Sequence, residues 1–407
     1  MGSFRKDANS DFGSDVRWAS FSSAGAAWTI SNEDFWESKA INFAKLKVSY
    51  GVNGNSRIGS YKSKGVYRFT TDYMYDGQQG AIMFTGENPK LSWETTKTLN
   101  AGISLGLFNR ITLEAEFYNR TTTDLLDEVD VTRTVGFTSV IQNVGSVRNR
   151  GIEVNLITEN LKGENFNWTT RFNIASNKNK ILKLNNDNSK VLDISIREVG
   201  QDISTFYLIK WAGVDPRDGG PLWYDNRGNL TKTFNLANRV TAGTATPDFF
   251  GGMTNTLRYK SISLSALMVY NVGGYAFSRL QREADSDGRN LEANNQTTNM
   301  LDRWREAGDL SNIPKSVLGL NADNGRNSTR FLHSKTHLRL QNISVNYMIP
   351  KEIISKAHLK QASVYLQADN VAFWTPYDTP SDRNDYRNLS NPYPTPLVLS
   401  LGLNVNF

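Results

Sequence analysis

The residue types that usually carry out chemistry occur here at spacings that do not suit catalysis. His333 and His337 are four residues apart, but the three residues between them include no glutamate, and the stretch leads into an alternating strand pattern. A zinc protease motif needs both the glutamate and a helix. The 407 residues contain no cysteine, which excludes a thiol nucleophile and a disulfide framework. No phosphate-binding glycine loop occurs, so we predict a protein that is not an enzyme and carries no metal or cofactor.

Two aspartate-rich segments resemble the beginning of a calcium-binding loop. They are residues 285–288, Asp-Ser-Asp-Gly, and residues 215–218, Asp-Pro-Arg-Asp. Both lack the later oxygen ligands that a calcium loop supplies. We therefore expect both segments to be surface turns.

Flat aromatic side chains close to aspartate and asparagine are the remaining candidates for binding. Such rings can stack on sugars while neighbouring carboxylates and amides bond to hydroxyl groups. They are equally typical of a contact with a protein lid, or of a rigid loop that packs on itself, and the sequence leaves these roles open. The candidate ligand contacts are Trp223, Tyr224, Trp374, Tyr377, Tyr386 and Tyr393.

The segments between these candidates alternate with the period of a β-strand. Residues 398–407 place five apolar side chains on one face, and Ser, Gly and Asn on the other. Residues 93–107 alternate in the same way, turn at Phe108 and Asn109, and return as a second alternating strand. These lengths suit a tilted strand that crosses a bilayer, about 9–11 residues. An edge strand of a soluble sandwich would show the same alternation.

The lengths of the connections favour a membrane barrel over a sandwich. Short turns follow Leu107, Thr158 and Tyr259. Outer-membrane barrels have short periplasmic turns and long extracellular loops, whereas a sandwich has no reason to sort its loops. We count 12 spans, or 14 if 191–199 and 205–212 form a further pair. The long connections run through 53–92, 121–150, 213–249, 273–336 and 371–396.

The sequence therefore predicts an all-β fold, an antiparallel transmembrane β-barrel with long extracellular loops. The mean hydropathy is −0.47, and no run approaches the roughly 18 apolar residues of a membrane helix. Aromatic residues make up 11%, which suits interfacial girdles. The net charge of +6 is mild, and no run of Lys and Arg indicates nucleic-acid binding.

In such a barrel, the polar face of each strand looks into the lumen or at a plug. We expect ionisable side chains on this face to form salt bridges between strands or with the plug, and a role in a transport path is the alternative. A change of phase near Gln341 and Asn342 predicts a β-bulge. The polar-face ionisable residues are Glu94, Glu114, Glu116, Glu153, Arg171, Arg258 and Arg339.

Several stretches, spread in order over nearly the whole chain, resemble one family. They are LSWETTKTLNAG (91–102), NVGSVRNRGIEV (143–154), NKNKILKL (177–184), WAGVDP (211–216), GGMTNTLRYK (251–260) and the terminal strand. The chain resembles the C-terminal barrel portion of a SusC/RagA-type TonB-dependent outer-membrane transporter of Bacteroidota. The pattern Ser400-x-Gly402-x-x-Val405-x-Phe407 also resembles the C-terminal signal read by the barrel-assembly machinery.

The resemblance implies a 22-stranded barrel in the cell outer membrane, plugged by an N-terminal domain. Residues 1–407 would supply the C-terminal 12–14 strands, and another portion of the same or a separate chain would supply the first strands and the plug. That portion would carry the segment that contacts TonB-ExbB-ExbD. The absence of a signal peptide from the sequence is expected on this interpretation. A SusD-like surface lipoprotein would form a lid, and membrane lipids would surround the wall.

Two functions remain open. One is energised import of large nutrients, glycans or peptides, together with the lid lipoprotein. The other is a structural or scaffold barrel in a larger outer-membrane assembly without transport. The sequence does not identify the substrate, the oligomeric state, or whether the chain is a split subunit, a cleavage product or part of a longer protein.

Overall fold

The structure is a computed structural model, and it describes residues 1–407 except 58, 138, 188, 290, 294, 320–324, 356–358, 377–394 and 407. Its elements are mostly strands, as the alternating pattern predicts. In chain order, the strands are β1 (Gly2–Ala8), β2 (Trp18–Thr29), β3 (Ile41–Asn55), β4 (Val66–Tyr75), β5 (Gln78–Thr85), β6 (Glu94–Leu107), β7 (Ile111–Asp130), β8 (Ser139–Lys162), β9 (Phe166–Lys183), β10 (Lys190–Val191), β11 (Ile196–Arg197), β12 (Thr205–Ile209), β13 (Trp211–Val214), β14 (Pro221–Tyr224), β15 (Leu230–Thr231), β16 (Arg239–Thr244), β17 (Phe249–Tyr259), β18 (Ile262–Val272), β19 (Tyr275–Phe277), β20 (Leu332–Ser334), β21 (His337–Met348), β22 (Gln361–Trp374) and β23 (Val398–Asn406). Two short helices are α1 (Arg279–Ala284) and α2 (Lys351–Ile354).

Twelve of these strands form one sheet, in the order β1-β2-β3-β6-β7-β8-β9-β17-β18-β21-β22-β23. Neighbouring strands along it are antiparallel, for example β6 with β7 and β17 with β18. The strands follow their order along the chain, so each pairs with its nearest long neighbour. This agrees with the lower of the two predicted span counts.

The chain divides into two compact units. The first comprises 1–154, 177–190 and 197–203, and the second comprises 155–176, 191–196 and 204–407. In the first unit, β4 and β5 form a two-stranded antiparallel hairpin within the long connection 53–92. In the second unit, small sheets lie between the long strands: β12 with β16, β13 with β14 and β15, and β19 with β20.

The predicted division into two faces is present in the register of β3, β6 and β7. Leu46 lies opposite Ile103, which lies opposite Ala115, and the neighbouring row continues the polar face. That polar row consists of Lys47, Gly102 and Glu116. Because successive side chains of a strand point to opposite faces, the alternating sequence separates an apolar and a polar surface.

Two sequence expectations are corrected. The predicted connection 121–150 is mostly strand, because β7 continues to Asp130 and β8 begins at Ser139. These strands have 20 and 24 residues, whereas a strand crosses a bilayer with about 9–11 residues. Each strand therefore continues beyond the segment that lies in the membrane. The segments 191–199 and 205–212 are not a further pair in the large sheet, since β12 pairs with β16 instead.

The predicted bulge is confirmed. The register of β21 against β18 shifts where Leu267 and Met268 lie opposite Asn342 and Leu340, which leaves Gln341 as an extra residue. The extra residue explains why apolar residues on β21 change parity while remaining on one face. The pairing of β21 with β22 also shifts between Leu340 and Asn342, and Asn370 of β22 has a positive φ of 58° at that point.

The terminal strand β23 pairs with β22 along its whole length. Leu401 lies opposite Leu366 and is 76% exposed on the apolar face. On the other face, Gly402 lies opposite Tyr365, and a Cβ at Gly402 would come within 2.3 Å of the Tyr365 ring. The glycine therefore leaves room for the tyrosine ring to lie across the strand. Of the proposed assembly-signal residues, Ser400, Gly402 and Val405 are placed within β23, and Phe407 lies outside the described residues.

No helix among the described residues is both long and apolar enough to cross a membrane.

The Gly402–Tyr365 contact separates a packing role for the glycine from a recognition role. A Gly402→Ala substitution should lower the yield of folded, heat-modifiable protein in membranes, because overpacking costs about 1–3 kcal/mol. If the cause is packing, Tyr365→Ala in the same chain should restore the yield. Asn404→Ala serves as the control, because Asn404 lies on the same face of β23 and outside the proposed signal pattern. A double variant that stays as poor as Gly402→Ala would show that the clash with Tyr365 is not what Gly402 prevents.

Candidate functional site

The long loops of the second unit form a folded assembly at one end of its strands. Phe249 of β17 lies opposite Val272 of β18, and Asn271 lies opposite His337. The end of connection 204–248 and both ends of connection 273–336 therefore lie at one end of β17, β18 and β21. We call the described residues of these two connections the loop assembly. Its small sheets give it internal order that a simple loop would lack.

A compact apolar cluster lies within the loop assembly. It consists of Phe206, Leu208, Phe277 and Phe331, all buried. The rings of Phe277 and Phe331 meet edge to face with centroids 6.3 Å apart. This burial joins the strand β12 of the first connection to β19 and the region of Phe331 in the second.

A buried ion pair lies beside this cluster. Asp287 is fully buried, and both terminal nitrogens of Arg330 donate to its carboxylate, with Nη2 2.9 Å from Oδ1. The guanidinium carbon of Arg330 also lies 5.2 Å from the ring centroids of Trp211 and of Phe331. Burial raises the pKa of Asp287, and the Arg330 guanidinium opposes that shift. A bidentate pair of this kind fixes orientation as well as charge.

Trp223 is an interior residue of the loop assembly and is only 1% exposed. Its ring meets Trp211 at 6.0 Å and Phe234 at 5.4 Å, both edge to face, and Arg326 lies over Phe234. Of the roles that the sequence left open, this placement corresponds to a loop that packs on itself. Trp223 thus links the Asp287–Arg330 pair to the sheet of β13, β14 and β15.

The turn after β13 carries a second charge cluster. Asp215 is 2% exposed and accepts two side-chain bonds from Arg217, at 3.0 Å each, while Lys232 reaches it at 2.7 Å. Lys232 also bonds Asp218 at 2.6 Å. The bonds from Arg217 and then from Lys232 hold the pKa of Asp215 well below its usual range.

The surface turn expected at 215–218 is present, with Arg217 and Asp218 exposed and only Asp215 buried. The expectation for 285–288 is wrong, because that whole segment is buried. Asp285 is 4% exposed and accepts a bond from Thr297, and Asp287 pairs with Arg330. Short-range sequence does not show partners that lie up to 43 residues away. Across the described part of the chain, no group of three or more metal-ligating side chains comes together.

His333 and His337 contact different residues and do not form a common site. His333 shares a bond with Gln281, and burial lowers its pKa. His337 stacks on Phe373 with centroids 5.1 Å apart, and its Nδ1 lies 2.7 Å from the carbonyl oxygen of Lys335. Both side chains serve local packing in this structure.

The other aromatic candidates occupy different places. Tyr224 is half-buried at the edge of the loop assembly, with the amine of Lys210 5.1 Å from its ring centroid. Trp374 is 51% exposed and lies opposite Leu338, on the apolar face of the sheet, where an interfacial girdle residue would stand. Tyr377, Tyr386 and Tyr393 lie outside the described residues.

The polar face of the first unit is a wall of bonded side chains. Lys47 and Glu116 form an inter-strand salt bridge of 3.1 Å that passes over Gly102, where a Cβ would meet the lysine at 2.6 Å. Further along, Tyr118 donates to Asn177 at 3.0 Å. Asn149 then accepts from both Asn177 and Asn179, at 3.1 and 2.9 Å. The wall therefore presents neutral amides next to paired charges, as expected for a surface that faces water or protein.

The comparisons with known proteins agree with this architecture. Residues 2–276 match the family described as TonB dependent receptor-like, beta-barrel. The chain belongs to this family, and its sheet is the wall of an outer-membrane β-barrel. The apolar face of the sheet is accordingly the lipid-facing one, and the protein is an integral protein of the outer membrane.

Relatives place the chain more closely within the family. It is 29% identical to TonB-dependent receptor P3 of Formosa agariphila over 99% of this chain and 43% of the relative. It is 26% identical to TonB-dependent receptor SusC of Bacteroides thetaiotaomicron over 99% of this chain and 41% of the relative. The chain therefore spans less than half the length of the curated relatives that it matches. These relatives are named as receptors, and the chain is a SusC/RagA-type barrel portion rather than an enzyme.

Solved structures show the same relation in three dimensions. The RagAB peptide transporter matches with a TM-score of 0.82 and 31% identity, over 92% of this chain and 42% of that chain. The RagAB peptide importer in the open-open state matches with a TM-score of 0.86 and 29% identity, over 100% of this chain and 45% of that chain. The predicted fold class and family resemblance are confirmed.

Sequence reasoning missed the residues that hold the loop assembly together. Arg330 and Trp211 had no signal of their own, because an arginine or a tryptophan in a loop is compatible with many roles. The one available signal was that Trp211, Trp223 and Phe234 crowd into 24 residues, which is typical of a folded rather than an open loop.

The Asp287–Arg330 pair should control the stability of the loop assembly. Arg330→Met leaves a buried carboxylate without its partner, and breaking such a pair costs about 3–5 kcal/mol. Amide hydrogen exchange around Phe277 and Phe331 should speed up accordingly. Adding Asp287→Leu should recover most of the protection, because the unpaired charge is then absent.

The control is Arg217→Met, which removes a guanidinium that is 86% exposed although it also pairs with a buried aspartate. Lys232 remains bonded to Asp215 in that variant, so exchange around Phe331 should stay as in the parent protein. Equal protection in Arg330→Met and the parent would contradict the role given to the pair.

Proposed function

We propose that this chain forms the C-terminal barrel part of a SusC-type TonB-dependent importer that takes up large nutrients. The observation that carries the proposal is the combination of a polar, hydrogen-bonded lumen wall with a folded loop assembly at one end of the strands. A lumen lined with bonded amides and paired charges suits the passage of polar cargo. It also suits contact with a plug domain. The similarity to SusC and to the RagAB structures supports the same function.

The proposed cargo is a peptide or a glycan. The RagAB proteins are a peptide transporter and importer, which makes oligopeptides the first class to test. Half-buried Tyr224, with Lys210 over its ring, offers a flat surface beside a cation. Such a pair suits a peptide carboxylate or aromatic side chain as well as a sugar ring. We propose Tyr224 and, outside the described residues, Tyr377, Tyr386 and Tyr393 as cargo contacts.

The partners follow from the same proposal. A SusD-like lipoprotein would cover the loop side, and the N-terminal portion of the transporter would supply the first strands and the plug. TonB-ExbB-ExbD would act through that portion, and the barrel-assembly machinery would insert the wall by way of β23. A structural barrel without transport is the alternative, and the experiment below separates the two.

The test measures uptake by cells that depend on this transporter, with labelled oligopeptides and glycan oligomers as separate cargoes. Tyr224→Ala should raise the KM for the imported cargo roughly two- to tenfold, since one aromatic contact contributes about 0.5–1.5 kcal/mol beyond area. The matched control is Tyr259→Ala at the opposite end of β17, where Lys260 lies over the ring at 5.6 Å in the same way. That variant should import normally.

Uptake of either class that disappears when TonB is deleted would establish energised import. Cells that take up neither class, with the barrel present at wild-type level and the lid partner bound, would favour the structural barrel. Equal KM values for Tyr224→Ala and Tyr259→Ala would remove Tyr224 from the cargo contacts and leave the importer function standing.

A further inference from the structure

Basic side chains form a band on the lipid-facing side of the first unit. On β8, Arg148 and Arg150 lie between the lipid-facing Ile152 and the loop end of the strand. On the neighbouring strand β9, the cations are Lys178 and Lys180. Lys97 of β6 occupies the same face beyond Leu99. We call Arg148, Arg150, Lys178 and Lys180, together with Lys97, the basic rim.

The hydrogen bonds of the lumen wall establish which face these cations occupy. Asn149 of β8 accepts from Asn177 and Asn179 of β9, so these odd-numbered residues share the lumen face. Because side chains alternate along a strand, Arg148 and Arg150 lie on the opposite, lipid-facing side. Lys178 and Lys180 lie there for the same reason. β8 and β9 are hydrogen-bonded neighbours, so the four cations stand on adjacent strands about 4.8 Å apart.

The rim lies where the lipid-facing side changes from apolar to polar. On β7 the lipid-facing residues Leu113, Ala115 and Phe117 give way to Asn119 and Thr121. On β6, Leu99 gives way to Lys97, which pairs with Thr121. Tyr118 bonds Asn177, which sets Lys178 at the level just beyond Phe117. One transition thus runs across four strands at one height.

Among the described residues, no carboxylate forms an ion pair with the central four cations of the rim. Within the part of the chain that the structure describes, Arg148, Arg150, Lys178 and Lys180 make no ion pair and no side-chain hydrogen bond. Arg150, Lys178 and Lys180 are exposed. The lipid-facing positions of β6 to β9 near the rim hold no carboxylate, whereas the lumen face pairs its lysine with Glu116 at 3.1 Å. A row of like charges without counter-charges is unfavourable unless an anion from outside lies against it.

The position of the basic rim relative to the bilayer indicates which anion lies against it. It stands next to an aliphatic band that contacts acyl chains and on the side of the long loops, which face outwards in outer-membrane barrels. The groups that meet a barrel at this depth are lipid headgroups, and clustered Lys and Arg next to a hydrophobic span bind anionic headgroups. Arginine binds phosphate through a bidentate fork, and lysine binds it as a point charge.

We propose that the basic rim binds the phosphate groups of a phosphorylated glycolipid in the outer leaflet. The acyl chains of that lipid lie along the apolar positions below the rim, such as Ile152 and Phe117. The rim thereby fixes the height of the barrel in the membrane and holds a lipid at β8 and β9. This site is on the outer wall and is separate from the proposed import path.

The experiment uses the full-length transporter purified in detergent and titrated with phosphorylated lipid A or with the same lipid after phosphatase treatment. Native mass spectrometry counts the bound lipid. Replacing Arg148, Arg150, Lys178 and Lys180 by serine should raise the lipid A concentration for half-saturation by at least roughly tenfold, because each cation contributes to headgroup attraction. The wild type should bind the phosphatase-treated lipid at least as weakly as the variant binds lipid A.

The matched control removes four exposed cations from the connection between β3 and β6 and should bind as the wild type does. Its substitutions are Arg57→Ser, Lys62→Ser, Lys64→Ser and Lys90→Ser. If the fourfold rim variant does not fold, Arg150→Ser and Lys178→Ser are measured singly, and each should bind lipid A more weakly than wild type. Equal binding of lipid A by wild type and the rim variants would overturn the proposal. Equal binding of phosphorylated and phosphatase-treated lipid would show that only the apolar band holds lipid, and displacement of lipid A by millimolar inorganic phosphate would show a site for a soluble anion.

Discussion

The requirement that backbone amides inside a hydrocarbon layer be hydrogen-bonded underlies the rest of this structure. An unsatisfied N–H or C=O group in lipid costs several kcal/mol, so a chain that does not cross as helices must cross as paired strands. Twelve strands paired in chain order meet that requirement for the ten strands between β1 and β23, each of which has a neighbour on both sides. Pairing imposes a period of two on the side chains, and the period separates a lipid-facing wall from a lumen wall. On the lumen face, Gly102 and Gly402 have no side chain, so Lys47 and Tyr365 of the neighbouring strands can lie across them.

Outside the membrane the constraint is different, and so is the solution. The loop assembly has water on its surface, and its buried carboxylates at Asp215, Asp285 and Asp287 each accept side-chain hydrogen bonds. Arg330 pairs with Asp287 and lies against Trp211, which contacts Trp223. A loop made rigid in this way can present Tyr224 at a constant position while the barrel wall below it remains unchanged. The membrane part and the loop part are therefore stabilised by different interactions: backbone pairing in the first, and aromatic packing around a buried ion pair in the second.

The fold could be predicted from the sequence because its controlling signal is local. Alternation along 93–107 and 398–407, the tight turn at Phe108 and Asn109, and the change of phase at Gln341 are each visible within a few residues. The loop assembly could not be predicted, because its contacts join residues such as Asp287 and Arg330 that are far apart in the chain. The same limit explains why buried aspartates were expected at the surface. It also explains why β7 and β8 were expected to end too early, since their outer halves pair without serving the bilayer.

The central claim is that β6 crosses a membrane with its odd-numbered residues towards lipid and its even-numbered residues towards the lumen. Single cysteines at positions 99 to 104, each carrying a fluorescent probe, test this directly in the full-length protein reconstituted in bilayers. Probes at Leu99, Ala101 and Ile103 should be quenched by a lipid-attached quencher and spared by a water-soluble one, and probes at Asn100, Gly102 and Ser104 should show the reverse or no lipid quenching. Uniform access of the water-soluble quencher to both sets of probes would contradict a membrane-spanning wall and would favour a soluble sheet.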